Sequence, residues 1–232
     1  MWRKFSKMNG YIYNIVFNFQ SICILLTFIL SLRIIKNRNI PEYMKGFYWY
    51  SIVGVIVLIP VFIDINITKR FFLLKTIVIN FSILFHYLFL SLFIKKLIVF
   101  ELNKNFVNLI FWILLVLLFY SLSKDISSRV NIVAYIIANF GLIIFCLFYY
   151  YQLFNSLPSI DLIKEPSFWI ITGVFFTMSV HIPILASMSF LKNKISQNSY
   201  FLLAGVTTFC YSLMYLFFCK AILCTIHQKR VL

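Results

Sequence analysis

The chain reads as an all-α, polytopic integral membrane bundle of seven transmembrane helices, one seven-helix domain over residues 1–232. Three observations predict that class. Hydrophobic residues make up 62% of the chain and the mean hydropathy is +0.96, against about 45–50% apolar in an ordinary soluble domain. Charged residues are 12%, roughly half the usual ~25%. The apolar residues also gather into runs of about the twenty residues that cross a bilayer, with Lys, Arg, Asn and Pro between the runs. Seven such spans leave short loops in water, so a soluble catalytic domain does not fit.

The first run, residues 11–35, is longer than the ~7–15 apolar residues of a signal peptide and no A-x-A-like site follows it, so it is expected to stay in the mature protein. It closes at Lys36-Asn37-Arg38-Asn39 before Pro41. The second, 47–67, opens on Phe47-Tyr48-Trp49-Tyr50, carries Pro60 inside and ends near Asp64. Thr68-Lys69-Arg70 separates it from the third, 71–94, which stops at Lys95-Lys96. The fourth, 106–122, is the shortest. Lys124-Asp125 precedes the fifth, 130–151, which closes on Tyr149-Tyr150-Tyr151. The stretch 158–166, with Pro158 and Pro166 at its ends, leads into the sixth, 167–190, which opens on Phe168-Trp169 and holds Pro183. Lys192-Asn193-Lys194 then precedes the seventh, 200–226. Because the second and third runs are nearly continuous, six spans is the alternative count. The aromatic clusters at run ends read as interfacial belts.

A net charge of +15 points to nucleic acid in a soluble chain. Here the basic residues sit at the ends of apolar runs and read as membrane anchors, so the partner they imply is the lipid bilayer and not nucleic acid. Cytoplasmic loops carry the Lys and Arg excess, yet the two sides are nearly even. A start at Met8 removes Arg3, Lys4 and Lys7 and tips the excess to the side of the C-terminus. The expected topology is a multi-pass protein of the inner (plasma) membrane with a cytoplasmic C-terminus.

Ionisable groups inside a bilayer are the default functional candidates, and the spans hold few: Asp64, Lys75, His86, His181 and Lys220. Asp64 and Lys75 fall near one interface, so an ion pair of Asp64 with Lys75, Lys69 or Arg70 is expected. Lys220 lies close enough to the end of its span to snorkel. His86 and His181 differ in depth by roughly 8 Å at a rise of 1.5 Å per residue, too much for one shared metal, so no metal and no cofactor are predicted. The five cysteines lie in apolar runs without a C-x-x-C pair and read as small buried hydrophobes. With no H-E-x-x-H, no G-x-S-x-G and no clustered acids, an enzyme is not expected. The same depth arithmetic gathers Asn18, Gln20, Asn80, Asn139 and His181 into one layer, with Thr207 and Thr208 close to its level. That layer is either glue between helices or a ligand pocket open to the outer side. Pro60 and Pro183 are candidate hinges, since each frees backbone groups in its span.

Residues 146–176, CLFYYYQLFNSLPSIDLIKEPSFWIITGVFF, join a Tyr-rich helix end through a short loop to a P-x-F-W-I segment formed by Pro166, Phe168 and Trp169. With Met8-Asn9-Gly10 and the stretch 78–97, which holds Tyr87 and Lys95-Lys96, this pattern resembles uncharacterised seven-transmembrane-helix proteins of the Bacteroidetes. Those proteins resemble the membrane sensor halves of histidine kinases. The resemblance implies signal input without catalysis, with a histidine kinase or another membrane protein as partner. His181, in TMSVHIPI, stands where that pattern carries a more aromatic, small-residue run. The expected function is a membrane sensory or signalling protein that passes a conformational signal to a partner. A small transporter or permease subunit, or an accessory subunit of a membrane complex, is the alternative, and a homo-oligomer is compatible with either.

Overall fold

The structure, a computed structural model, describes residues 2–35, 42–63, 69–99, 101–125, 130–155, 161–190 and 196–228. These form seven α-helices: α1 (Trp2–Ile35), α2 (Glu42–Ile63), α3 (Lys69–Leu97), α4 (Glu101–Asp125), α5 (Ile132–Asn155), α6 (Pro166–Phe190) and α7 (Gln197–Gln228). No strand occurs among the described residues. Among the described residues, six of the helices, α1, α3, α4, α5, α6 and α7, are long and apolar enough to cross a membrane, and α2 is not counted with them.

Most helices run past the expected spans, because backbone hydrogen bonding continues into the interface after the apolar run has stopped. The shortest predicted span, 106–122, lies inside the 25 residues of α4. Asn131 starts α5 as an N-cap: its Oδ1 accepts from the Ala134 N–H at 2.9 Å, satisfying a donor that has no partner in the first turn. Pro166 opens α6 at the position where its missing N–H costs nothing. Gln152, near the end of α5, ties down the end of α3. Its Nε2 donates to the Leu97 carbonyl at 3.0 Å and its Oε1 accepts from the Val99 N–H at 2.6 Å.

The helices close into a ring in the order α1, α2, α3, α5, α6, α7 and back to α1, while α4 stands outside against α5 and α3. Chain order therefore breaks at one point only, where α5 and not α4 follows α3. The bundle holds a core of large side chains, among them Phe47, Tyr87, Phe145 and Phe218, each fully buried. The outward faces carry Leu25, Ile29, Trp112, Val116, Phe140 and Leu216 exposed, the surface expected of helices in lipid. Short polar side chains link neighbours across the ring. Ser31 and Ser51 share a hydrogen bond at 2.9 Å between α1 and α2, and Thr177 of α6 donates to the Cys210 carbonyl of α7 at 3.1 Å. Gly173 marks a close α6–α7 approach: a Cβ there would lie 2.8 Å from the Cβ of Phe217.

Candidate functional site

Inside the ring a cavity of about 200 Å³ is lined from α1 by Phe17, Gln20 and Ile24, from α2 by Tyr50 and Gly54, from α3 by Phe85 and His86, from α5 by Tyr135 and Asn139, and from α7 by Tyr211 and Tyr215. Tyr135 and Asn139 fall in the first two turns of α5, so the cavity lies roughly 5–10 Å below the end at which α5 begins. Among the described residues none that line it is charged.

Two hydrogen-bonded histidines organise its polar side. Tyr50 and His86 meet at 2.7 Å between hydroxyl and Nδ1. His86 Nε2 is buried and has no hydrogen-bond partner among the described residues, a costly state for a polar atom away from water. The Asn139 Nδ2 amide donates to His181 Nδ1 at 3.1 Å, and the Tyr211 hydroxyl approaches the same nitrogen at 3.3 Å. The Tyr211 ring makes T-shaped contacts with both histidines, with centroids 5.1 Å from His181 and 6.2 Å from His86. Tyr135 packs edge-on to His181 at 5.4 Å. Among the described residues no group of three His, Cys, Asp or Glu side chains is gathered to hold a metal.

The predicted polar layer divides into three parts. Gln20 and Asn139 line the cavity, and His181 stands buried behind Asn139. Asn80 is also buried, but it serves another node: its Oδ1 accepts from the Asn131 N–H at 3.0 Å, while Asn131 Nδ2 donates to the Ser121 carbonyl at 2.7 Å. Asn80 therefore ties α3 to the start of α5, with α4 joined through Ser121. Asn18 is turned out and exposed, since two residues carry the chain about 200° around a helix and Asn18 and Gln20 cannot both face inward. Thr207 is half-buried, Thr208 is buried, and both donate to the Ala204 carbonyl of their own helix at 2.7 and 2.8 Å. Neither reaches the cavity.

The predicted ion pair lies outside the described residues, both in Asp64 itself and in the side chains of Lys69, Arg70 and Lys75, and so does the Pro60 side chain. Pro183 is exposed on the outer face of α6, which continues through it to Phe190. Lys220 is exposed, its Nζ 5.7 Å above the Trp169 ring. Outside the spans, Lys164 Nζ meets Asp161 at 2.8 Å, and the hydrogen bond and charge hold the Asp161 carboxyl below its ordinary range and the Lys164 ammonium above its own. Cys23, Cys146, Cys210 and Cys219 are buried and Cys224 is half-buried; all five are free thiols.

Sequence reasoning missed the tyrosines. Tyr50 reads as part of an interfacial belt, yet it is buried beside Phe47, three residues earlier on the same helix face, while Trp49 is the exposed member. Tyr149 is likewise buried and Tyr151 exposed in the second cluster. The spacing of Tyr211 and Tyr215, four residues apart, places both on one face and is the one local sign of a shared site. Comparison with known proteins finds no matching family model, no matching curated protein and no matching solved structure.

Proposed function

We propose that this protein is a membrane-embedded sensory protein in which a small ligand, entering the tyrosine- and histidine-lined cavity, shifts the packing of the helix ring and passes that change to a partner such as a histidine kinase or another membrane protein. The observation that carries this reading is the make-up of the cavity wall. Five of the six ring helices line it, and the sixth, α6, stands behind it through His181 bonded to Asn139. A ligand that contacts this wall unequally in two arrangements of the ring shifts the balance between them. The resemblance of residues 146–176 to sensor-like membrane proteins points the same way.

This reading takes all seven helices as spans, α2 included, in the inner membrane with a cytoplasmic C-terminus, and assigns the protein no catalytic step and no cofactor. In that orientation the cavity lies towards the outer side, and the α5–α6 connection with Gln152 and Trp169 towards the cytoplasm, where a partner or a second copy of the chain would receive the signal. The test is hydrogen exchange of the protein in nanodiscs with and without ligand, run beside a solute-flux assay in proteoliposomes. A sensory protein changes protection at the cytoplasmic helix ends and moves no solute. Net transport at turnover would replace this reading with that of a small transporter.

A further inference from the structure

Resting on the cavity as the input site, we infer that its ligand is an uncharged, electron-poor ring bearing a carbonyl acceptor, of the kind a lipid-soluble quinone presents as its headgroup, held by a hydrogen bond from His86 Nε2–H. Four features select that chemistry.

Size is the first. A dry cavity of about 150 Å³ accepts benzene, so the roughly 200 Å³ here takes one ring with a few substituents. Charge is the second. No lining residue among the described residues carries any, and an ion without a partner in a low-dielectric bundle is strongly disfavoured, so the ligand is neutral. The third is the unpartnered nitrogen. A phenol is a strong donor and a neutral imidazole nitrogen a strong acceptor, so we assign the tautomer in which the Tyr50 hydroxyl donates to His86 Nδ1 across 2.7 Å. The proton of the neutral ring then sits on Nε2, which becomes a buried donor with no acceptor among the described residues. A ligand carbonyl supplies that acceptor. The fourth is the wall of rings. Phe17, Tyr50, Phe85, Tyr135, Tyr211 and Tyr215 line the space, and their faces are the negative part of the aromatic quadrupole. An electron-poor ring stacks on such faces better than an electron-rich one. Because the walls belong to apolar helices, a lipid-soluble molecule reaches the site from the bilayer.

Gly54 gives a way to close the site. A Cβ at this position would lie 3.3 Å from the Tyr215 hydroxyl and 3.5 Å from Ile24 Cγ2, so a larger side chain fills the cavity. The experiment measures equilibrium binding of duroquinone and of durene, which has the same methylated ring without the carbonyls, to the protein in nanodiscs. Four proteins are compared: wild type, His86→Leu, Gly54→Leu, and Trp112→Leu, whose residue is exposed on the outer face of α4. The expected result is saturable duroquinone binding at least about tenfold tighter than durene, the ratio set by one good hydrogen bond to a donor otherwise left unsatisfied. His86→Leu should remove that preference, Gly54→Leu should abolish binding of both, and Trp112→Leu should bind as wild type. Equal binding of the two probes to wild type, lost in Gly54→Leu, would overturn the carbonyl ligand and leave the cavity as a ligand site. A preference for duroquinone that survives in His86→Leu would equally overturn the role of His86. Failure of wild type to bind either probe would remove both this inference and the input site on which it rests.

Discussion

Asn139 and His181 hold each other inside the bundle, and the Tyr211 hydroxyl meets the same imidazole nitrogen. Replacing His181 by Leu leaves the Asn139 amide without its acceptor, at a cost of about 1–3 kcal/mol. His181→Leu is therefore expected to fold and to unfold earlier in a detergent titration. Because the loss comes from a stranded amide, adding Asn139→Leu should recover part of it, a coupling that a double-mutant cycle reads directly. Strict additivity of the two changes would show that the pair is not linked. Asn80 behaves differently, since its partner is the backbone N–H at the cap of α5. Asn80→Leu should destabilise by a similar amount while leaving ligand binding to the folded fraction unchanged, because Asn80 does not line the cavity. The exposed Asp161–Lys164 pair adds to stability only where the carboxylate is charged. Its contribution is present above the unfolded carboxyl's pKa and fades as pH falls through the lower folded one, a small surface effect.

Helices α6 and α7 owe their contact to Gly173. The atom a new Cβ would meet, Phe217 Cβ at 2.8 Å, is fixed to its backbone and has no rotamer by which to retreat. Gly173→Ala must push the helices apart and is expected to cost about 1–3 kcal/mol, measured as an earlier unfolding midpoint. A midpoint equal to wild type would mean the helices have slack there. Gln152 bonds both the Leu97 carbonyl and the Val99 N–H across the α3–α5 seam. Gln152→Leu should loosen the end of α3, seen as faster amide exchange at Val99 with little change at the cavity. Pro183 withholds a backbone donor from the Ser179 carbonyl and faces outward. If α6 bends there during signalling, Pro183→Ala should blunt the ligand-induced change in exchange without lowering the unfolding midpoint; an unaltered response would leave Pro183 a static feature of the helix.

At the scale of the whole molecule, the closed ring explains why a polar cavity survives in so apolar a chain. Six helices around a centre cannot fill it with side chains at every level, and the level at which Tyr50, His86, Tyr135 and Tyr211 meet is left open. The orientation proposed for the ring places a C-terminal fusion in the cytoplasm. A reporter joined after Leu232 should give a cytoplasmic signal, and a periplasmic one would turn the cavity towards the cell interior.

The all-helical class, the approximate extent of six apolar helices and the burial of Asn80, Asn139 and His181 were legible in the amino-acid order. Apolar run length sets a helix in lipid, and an amide or imidazole facing hydrocarbon is too costly to keep there. Rotation was harder to read. Depth along a helix follows from counting residues, but azimuth needs a reference face, and in helices apolar all round the sequence offers almost none. That is why Asn18 joins the predicted layer at the right depth yet faces outward, and why Tyr50 reads as an interface residue though it is buried. Only the packing of the ring decided which polar groups share a space. It set α5 beside α3 in the ring and left α4 outside, gave Asn80 to a helix cap, and brought both histidines against the Tyr211 ring, because the neighbours that fix those contacts lie far apart in the chain.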